Sequence, residues 1–296
     1  MQLKNLFIAS AALLAFVACS SDDGRQETAA TADGRIPIQL GYGLNVTRSA
    51  TDLQDDAFDQ STVVDIKIEA TDNKEKYDLL QYQVTDLSGS LAPVKKVYPY
   101  YPTNGSTVDI YGIYPSGYLD AGSFTVQTTQ LSDAQYQASD LIYGKVTAQA
   151  ATQDKVTIPF RHLLSKVVVN LSAAGDEDID QSEVRLLNVA TKIDMPSRGT
   201  LAEEADDASR TGILMSTDGS ISSAAIIVPQ EVPSGVLIEV KLTNHDVVNY
   251  KTTQTTIFES GKKYTYNITV VESGLEVKTK VEDWLTTDDQ KQNTKL

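Results

Sequence analysis

The feature that most restricts this chain is the recurrence, from residue 36 to residue 282, of short runs in which apolar and polar residues alternate or β-branched and aromatic residues cluster. A period of two sends successive side chains to opposite faces of an extended strand, so one face can be buried while the other stays wet. In the first half the runs lie near 36–44, 62–69, 79–86, 94–101, 107–114, 123–128, 141–147 and 155–160. In the second they lie near 165–171, 183–190, 212–216, 224–229, 235–243, 247–255, 263–271 and 275–282. Asn104-Gly105, Ser116-Gly117, Asp218-Gly219 and Ser260-Gly261 punctuate them as turns. One segment, LSDAQYQAS at 131–139, reads as a short helix with Ser132 as its N-cap. Strands that never alternate with helices exclude βαβ units and their parallel sheets, which predicts an all-β chain of antiparallel sandwiches.

The 296 residues suffice for two ordinary domains or one large β domain. No Pro- or Ser-rich linker divides the halves, and the boundary is placed near residue 160, where KVTIPF ends one strand and HLLSKVVVNL opens another. Val167, Val168 and Val169 in succession predict a central strand covered on both faces. An N-terminal domain at 36–160 and a C-terminal domain at 161–296 follow. DEDIDQSE (176–183) and LAEEADDASR (201–210) read as solvated loops of the latter.

Upstream, MQLKNLFIASAALLAFVACSS carries Lys4, an apolar run from Leu6 to Val17 and small Ala18, a signal peptide over 1–18 that is too short to span a bilayer as a helix. Cys19 is the only cysteine, so it has no intrachain disulfide partner. Phe16-Val17-Ala18-Cys19 resembles a bacterial lipobox, in which the cysteine is acylated and becomes the new N-terminus. Several acyl chains on one residue would anchor the chain firmly. The alternative is a secreted protein whose cysteine falls there by chance. Residues 19–35 are small and polar, a flexible tether. Ser20-Ser21-Asp22-Asp23-Gly24 within it resembles the signal that routes Bacteroidetes lipoproteins to the cell surface.

Chemistry is sparse. With 40 Asp and Glu against 25 Lys and Arg, no basic stripe is available and nucleic acid is excluded as a partner. There are two histidines, His162 and His245, and the nucleophile-elbow, HExxH and P-loop signatures are missing. No catalytic residue, cofactor or metal site is therefore assigned. Asp176, Asp178 and Asp180 have the spacing that opens an EF-hand, but Gln181 replaces the turn glycine and Leu187 the bidentate glutamate. His162, beside Phe160 and Leu163, reads as a hydrogen-bonded core or interface residue. Fourteen tyrosines, among them Tyr98, Tyr100, Tyr101, Tyr111 and Tyr114, suit sugar faces or protein partners. They suit half-buried strands equally, and that structural role is the one favoured.

SDLIYGKV (139–146), VTIPFRHLLSKVVVNL (156–171), IIVPQ (226–230), FESGKKYTYNITV (258–270) and GLEVKTKVEDW (274–284) together resemble the fimbrillin family, the type V pilins and Mfa-like proteins of Bacteroidales. The resemblance runs from residue 36 onward. It implies two tandem transthyretin-like β-sandwich domains carried to the outer-membrane surface as a lipoprotein. In these pilins an arginine-specific protease removes the first strand, and an extended segment of another subunit fills the groove. That is β-strand addition, with main-chain hydrogen bonds for affinity and alternating pockets for register. Here IPIQLGYGL matches the removable strand and Arg48 the cleavage position, leaving Ser49 as the new first residue. Cutting at Arg25 or Arg35 would free the lipid without opening a groove. The implied partners are other fimbrial subunits, the outer membrane through Cys19, and a host or bacterial surface ligand. One departure from the family stands out: LTTDDQKQNTKL beyond Trp284 lacks the alternating apolar residues of a donor strand. A glycan-binding surface lipoprotein of a polysaccharide-uptake system is the alternative reading, since it would share the anchor, the tether and the sandwiches.

Overall fold

A computed structural model describes residues 34–43, 58–86, 89–175, 179–217, 222–271 and 274–284. The chain is all-β, as the alternation predicts. Its first strands are β1 (Leu40–Gly43), β2 (Val63–Ala70), β3 (Leu80–Val84), β4 (Leu91–Pro93), β5 (Val108–Tyr114) and β6 (Ser123–Thr125). After the helix α1 (Asp133–Ala138) come β7 (Ile142–Gln149), β8 (Val156–His162), β9 (Ser165–Ala173), β10 (Glu183–Val189) and β11 (Lys192–Asp194). The rest are β12 (Thr211–Leu214), β13 (Ser216–Thr217), β14 (Ser222–Ile227), β15 (Gln230–Val232) and β16 (Gly235–Lys241). They are followed by β17 (Val247–Thr252), β18 (Thr256–Phe258), β19 (Lys262–Val271) and β20 (Gly274–Asp283). Among the described residues no helix is long and apolar enough to cross a membrane.

Two hydrophobic cores organise these strands. A seven-stranded sheet, ordered β1-β8-β7-β5-β2-β3-β4, wraps the first. Alternation is literal in β2, where Val64, Ile66 and Ile68 are fully buried. Asp65 lies on its other face and accepts a hydrogen bond from the Gly117 amide at 2.6 Å. The second core lies between the sheets β12-β10-β16-β17 and β13-β14-β9-β19-β20, with Val184, Leu186, Ile238 and Val240 facing Val167, Val169, Tyr266 and Ile268. Ile113 of β5 and Tyr143 of β7 also belong to it, so the first sheet is covered on both faces. Leu119, Phe124, Val126, Tyr136 and Leu141 pack there too, although they precede residue 160.

The sheets are mixed, which corrects the expectation of purely antiparallel pairing. β1 runs parallel to β8, with Leu40 opposite Val156, and β19 runs parallel to β9, with Lys263 opposite Lys166. A helical crossover is one way to bring parallel strands together, but any sufficiently long connection does so. Here the paired strands are separated by most of a core, and no local pattern marks their pairing. β9 is central, as the valine run predicts, although Val168 on its second face is only half-buried. The short helix is present as read, with Ser132 accepting from the Gln135 amide and the Gln135 side chain accepting from the Ser132 amide.

A tight hairpin at Ser197–Thr200 docks the second half onto the first sheet. Arg198 there donates to Glu69 of β2 at 2.8 Å and to Asp120 at 2.5 Å, and its guanidinium lies 5.0 Å from the Tyr111 ring centre. Gly199 has φ +65°, and a Cβ at that position would lie 2.2 Å from the Tyr143 ring. Gly199→Ala therefore combines left-handed backbone strain with overpacking, and it is expected to cost about 2–4 kcal/mol in chemical denaturation. A change of only about 0.5 kcal/mol, typical of an ordinary surface site, would contradict this docking.

Candidate functional site: a first strand held on both flanks

The segment around β1 is short, yet it is bonded on two sides. On one flank it forms the parallel ladder with β8, and the Val156 amide donates to the Gln39 carbonyl at 2.9 Å. On the other, the Tyr42 amide donates to the Gly89 carbonyl at 2.9 Å and the Ile38 amide to Pro99 at 2.8 Å. The Tyr101 amide donates back to Ile36 at 2.9 Å. β1 thus closes the seam between β8 and the segment flanking β4.

Its inward row is apolar throughout, with Ile38, Leu40 and Tyr42 all at 5% exposure or less. The Tyr42 ring meets Phe58 edge-on at 5.2 Å, and Phe58 meets Phe160 of β8 at 5.3 Å. Phe58 is fully buried and lies C-terminal to Arg48 in the chain. Burying each large apolar side chain stabilises a fold by roughly 1.5–3 kcal/mol. Three of them amount to a sizeable fraction of the roughly 5–15 kcal/mol that holds a typical domain together. The outer face of the strand is equally tight. A Cβ on Gly41 would sit 2.6 Å from the Gly89 carbonyl oxygen and 3.0 Å from Cδ of Lys155, whose ammonium reaches Ser90 Oγ at 3.2 Å.

Burial raises the Tyr42 hydroxyl above its ordinary range, with the nearby carboxylates of Asp86 and Asp59 adding to the effect. Tyr101, on the flank of the same strand, is pushed up to about 12 by burial. A folded-state value above the unfolded value of about 10 means that the unfolded chain releases its proton first. Stability from these groups is therefore complete below about pH 10 and is lost as pH rises toward 12. Urea denaturation at pH 9 and pH 11 should show a lower midpoint at the higher pH, and equal midpoints would contradict buried, protonated tyrosines.

Cys19, Arg48 and Ser49, the residues assigned from sequence to lipidation and processing, lie outside the described residues, as do Asp176 and Asp178. His162 is a core residue, as read: its Nδ1 lies 2.9 Å from Asp140 Oδ1, both side chains are buried, and its ring stacks on Trp284 at 3.9 Å and 8°. A His–Asp pair is two-thirds of a hydrolytic triad, but no hydroxyl among the described residues bonds Nε2, which is sealed from solvent. Among the described residues no cluster of three or more His, Cys, Asp or Glu could hold a metal. A polar cleft of about 670 Å³ is lined by Glu203, Glu204, Asp207, Arg210, Glu231 and Glu259. Its one cation is engaged within the chain, Arg210 bonding Asp207, the Asn188 carbonyl and the Glu231 carbonyl. Four of the tyrosines singled out from sequence are likewise engaged internally: Tyr101 is buried, Tyr114 packs on Phe58, Tyr100 lies under the Arg35 guanidinium at 4.2 Å, and Tyr111 lies under that of Arg198.

Sequence reasoning passed over Gly41, Gly89 and Phe58. The available signal was a glycine inside an alternating run, which marks close backbone approach.

Fold and seam define a two-core all-β protein whose sheets are closed by a short N-terminal strand. The chain belongs to the fimbrillin-like family, whose model matches residues 47–284. It is 26% identical over 302 residues to a Bacteroides uniformis protein named as fimbrium subunit Fim1C, covering 96% of each chain. In three dimensions it resembles a Bacteroides uniformis protein described as a cell adhesion protein, with a TM-score of 0.68 and 21% identity over 86% of this chain and 99% of that one. It also resembles the C-terminally truncated tip fimbrial protein Mfa3 of Porphyromonas gingivalis, with a TM-score of 0.53 and 9% identity over 84% and 100% of the two chains. At these identities the two structural likenesses concern the fold. The family description and the name of the Bacteroides uniformis relative both denote fimbrial proteins.

Proposed function

We propose that this chain is a structural or adhesive subunit of a surface fimbrium, made as an outer-membrane lipoprotein anchored through Cys19. An arginine-specific protease cuts after Arg48, the new chain begins at Ser49, and β1 gives way to an extended strand from another subunit. The residues remaining, in two transthyretin-like domains at 36–160 and 161–296 before the cut, form the body of the subunit.

The observation that supports this reading is the seam around β1. One short segment supplies three buried side chains and bonds both flanks, yet its link to Phe58 passes through residues 44–57, which include Arg48. A cut there separates the strand from Phe58 and from every described core element that follows it in the chain. A cut at Arg25 or Arg35 leaves the strand attached. The empty seam would expose a row of unpaired backbone groups and an apolar channel, an aggregation hazard, so the strand must stay until its replacement arrives. The family match begins at Thr47, which puts β1 outside the region that the family model describes.

Limited digestion of the folded precursor with an arginine-specific protease, followed by N-terminal sequencing, tests the processing step. A main product beginning at Ser49 with its β-sheet circular dichroism intact is expected. Cleavage at other arginines while the Arg48–Ser49 bond survives would remove the basis for this reading.

A further inference from the structure

We propose that the strand that replaces β1 carries glycine at the position of Gly41. It has aliphatic side chains at the positions of Ile38 and Leu40 and an aromatic ring at the position of Tyr42, and it comes from a different polypeptide. This inference rests on the exchange reading and adds the sequence that the seam accepts.

The seam fixes register before it selects side chains. In the parallel ladder Leu40 faces Val156, Gly41 faces Thr157, Tyr42 faces Ile158 and Gly43 faces Pro159. Opposite, the Tyr42 amide is held by the Gly89 carbonyl at 2.9 Å, so the strand cannot draw back from Gly89 without losing that bond. At this crossing two backbones touch with no side chain between them. A Cβ on Gly41 would come within 2.6 Å of the Gly89 oxygen. A Cβ on Gly89, which has φ +96°, would come within 2.5 Å of the Tyr42 oxygen. Contacts under 3 Å between a Cβ and a backbone oxygen force one chain to move, and a shift that opens this crossing also lengthens the Tyr42–Gly89 bond. Lys155, whose stem covers Gly41, can swing aside, but the Gly89 carbonyl is main chain. Inward, Ile38 and Leu40 are buried in the first core, and Tyr42 meets Phe58 edge-on, a ring that remains with the body after a cut at Arg48.

Residues 275–296 of a second copy do not meet this demand, because they contain no glycine. In any register they would place a Cβ against Gly89. That segment is also committed, since β20 pairs with β19 from Gly274 to Asp283 and ends in Trp284, buried on His162. Outside residues 36–44, no other glycine of the chain is both preceded by aliphatic residues one and three positions earlier and followed by an aromatic one. Residues 36–44 leave with the lipid after processing. The donor that fits is therefore another polypeptide with an aliphatic–x–aliphatic–Gly–aromatic strand.

Strand displacement on the full chain tests this, with a specific protease site inserted between Arg48 and Ser49 so that opening the bond does not depend on natural processing. Three labelled peptides compete for the nicked protein: residues 36–44, the same peptide with Gly41→Val, and residues 275–284. The 36–44 peptide should enter, the Gly41→Val peptide should bind at least about tenfold more weakly, and the 275–284 peptide should not compete. Equal entry by the Gly41→Val peptide overturns the glycine requirement and leaves strand exchange standing. Entry by the 275–284 peptide as readily as by 36–44 overturns the assignment to a different polypeptide. Failure of all three to enter overturns the exchange reading and this inference with it.

Discussion

Replacing Leu40 by aspartate is expected to dismantle the first core. Leu40 is 1% exposed, in a strand bonded on both flanks, and its neighbours in the inward row are Ile38 and Tyr42. Truncating such a leucine to alanine costs about 2–5 kcal/mol through lost transfer energy and the cavity that remains. A carboxylate adds the penalty of an unpaired charge in apolar surroundings, which it escapes only by protonation or by pulling the strand into water. The combined loss, about 4 kcal/mol or more, is comparable to the whole stability of an ordinary domain. Gln39→Asp, one residue away with a half-buried side chain, should cost no more than about 1 kcal/mol. Urea denaturation of both variants checks the contrast, and similar midpoints would mean that β1 does not hold the first core together. The Leu40→Asp protein, nicked at the Arg48–Ser49 bond, should also shed its N-terminal fragment on gel filtration, where the parent protein retains it.

Trp284→Ala should produce a loss of similar size at the opposite end of the chain. Trp284 is the chain's single tryptophan. It is 1% exposed, stacks on His162, and donates its amide to the Gly261 carbonyl at 2.7 Å. It therefore ties the end of β20 to the turn before β19 and to the end of β8. Removing a buried tryptophan side chain costs about 3–5 kcal/mol. For a chain of this size that corresponds to a fall of roughly 10 °C in the unfolding midpoint. Trp284→Phe keeps an aromatic face over the imidazole and should recover at least half of that loss. A midpoint unchanged in the alanine variant would contradict the packing of β20 onto the body.

Much of this architecture is legible in the sequence because it is local. The alternation in VVDIKIEA and KKYTYNITVV marks β2 and β19, and the Ser132 cap marks α1 to the residue. The polar partner of His162 was foreseeable in kind, since a histidine between Phe160 and Leu163 must be satisfied from within. What escaped is what depends on distant segments meeting. Nothing near Leu40 or Val156 announces that they pair in parallel, because the information lies in how the first sheet closes. The row Leu275, Val277, Thr279 and Val281 faces the same side as Tyr264, Tyr266, Ile268 and Val270. On the edge strand, however, it is only partly covered, and Val281 is 56% exposed. Alternation specifies the face and not the depth of burial. Gly41 reads in sequence as a weak point in a strand. The three-dimensional arrangement makes it the place where Gly89 crosses.

Removal of β1 and its replacement are tested most directly by the intact mass, with peptide mapping, of the protein recovered from the surface of a bacterium that displays it. The expected result is a chain beginning at Ser49, with residues 36–44 absent, and a segment of a second polypeptide cross-linking to β8 in their place. A mature surface protein that still contains Ile38, Leu40 and Tyr42 in the seam would contradict it.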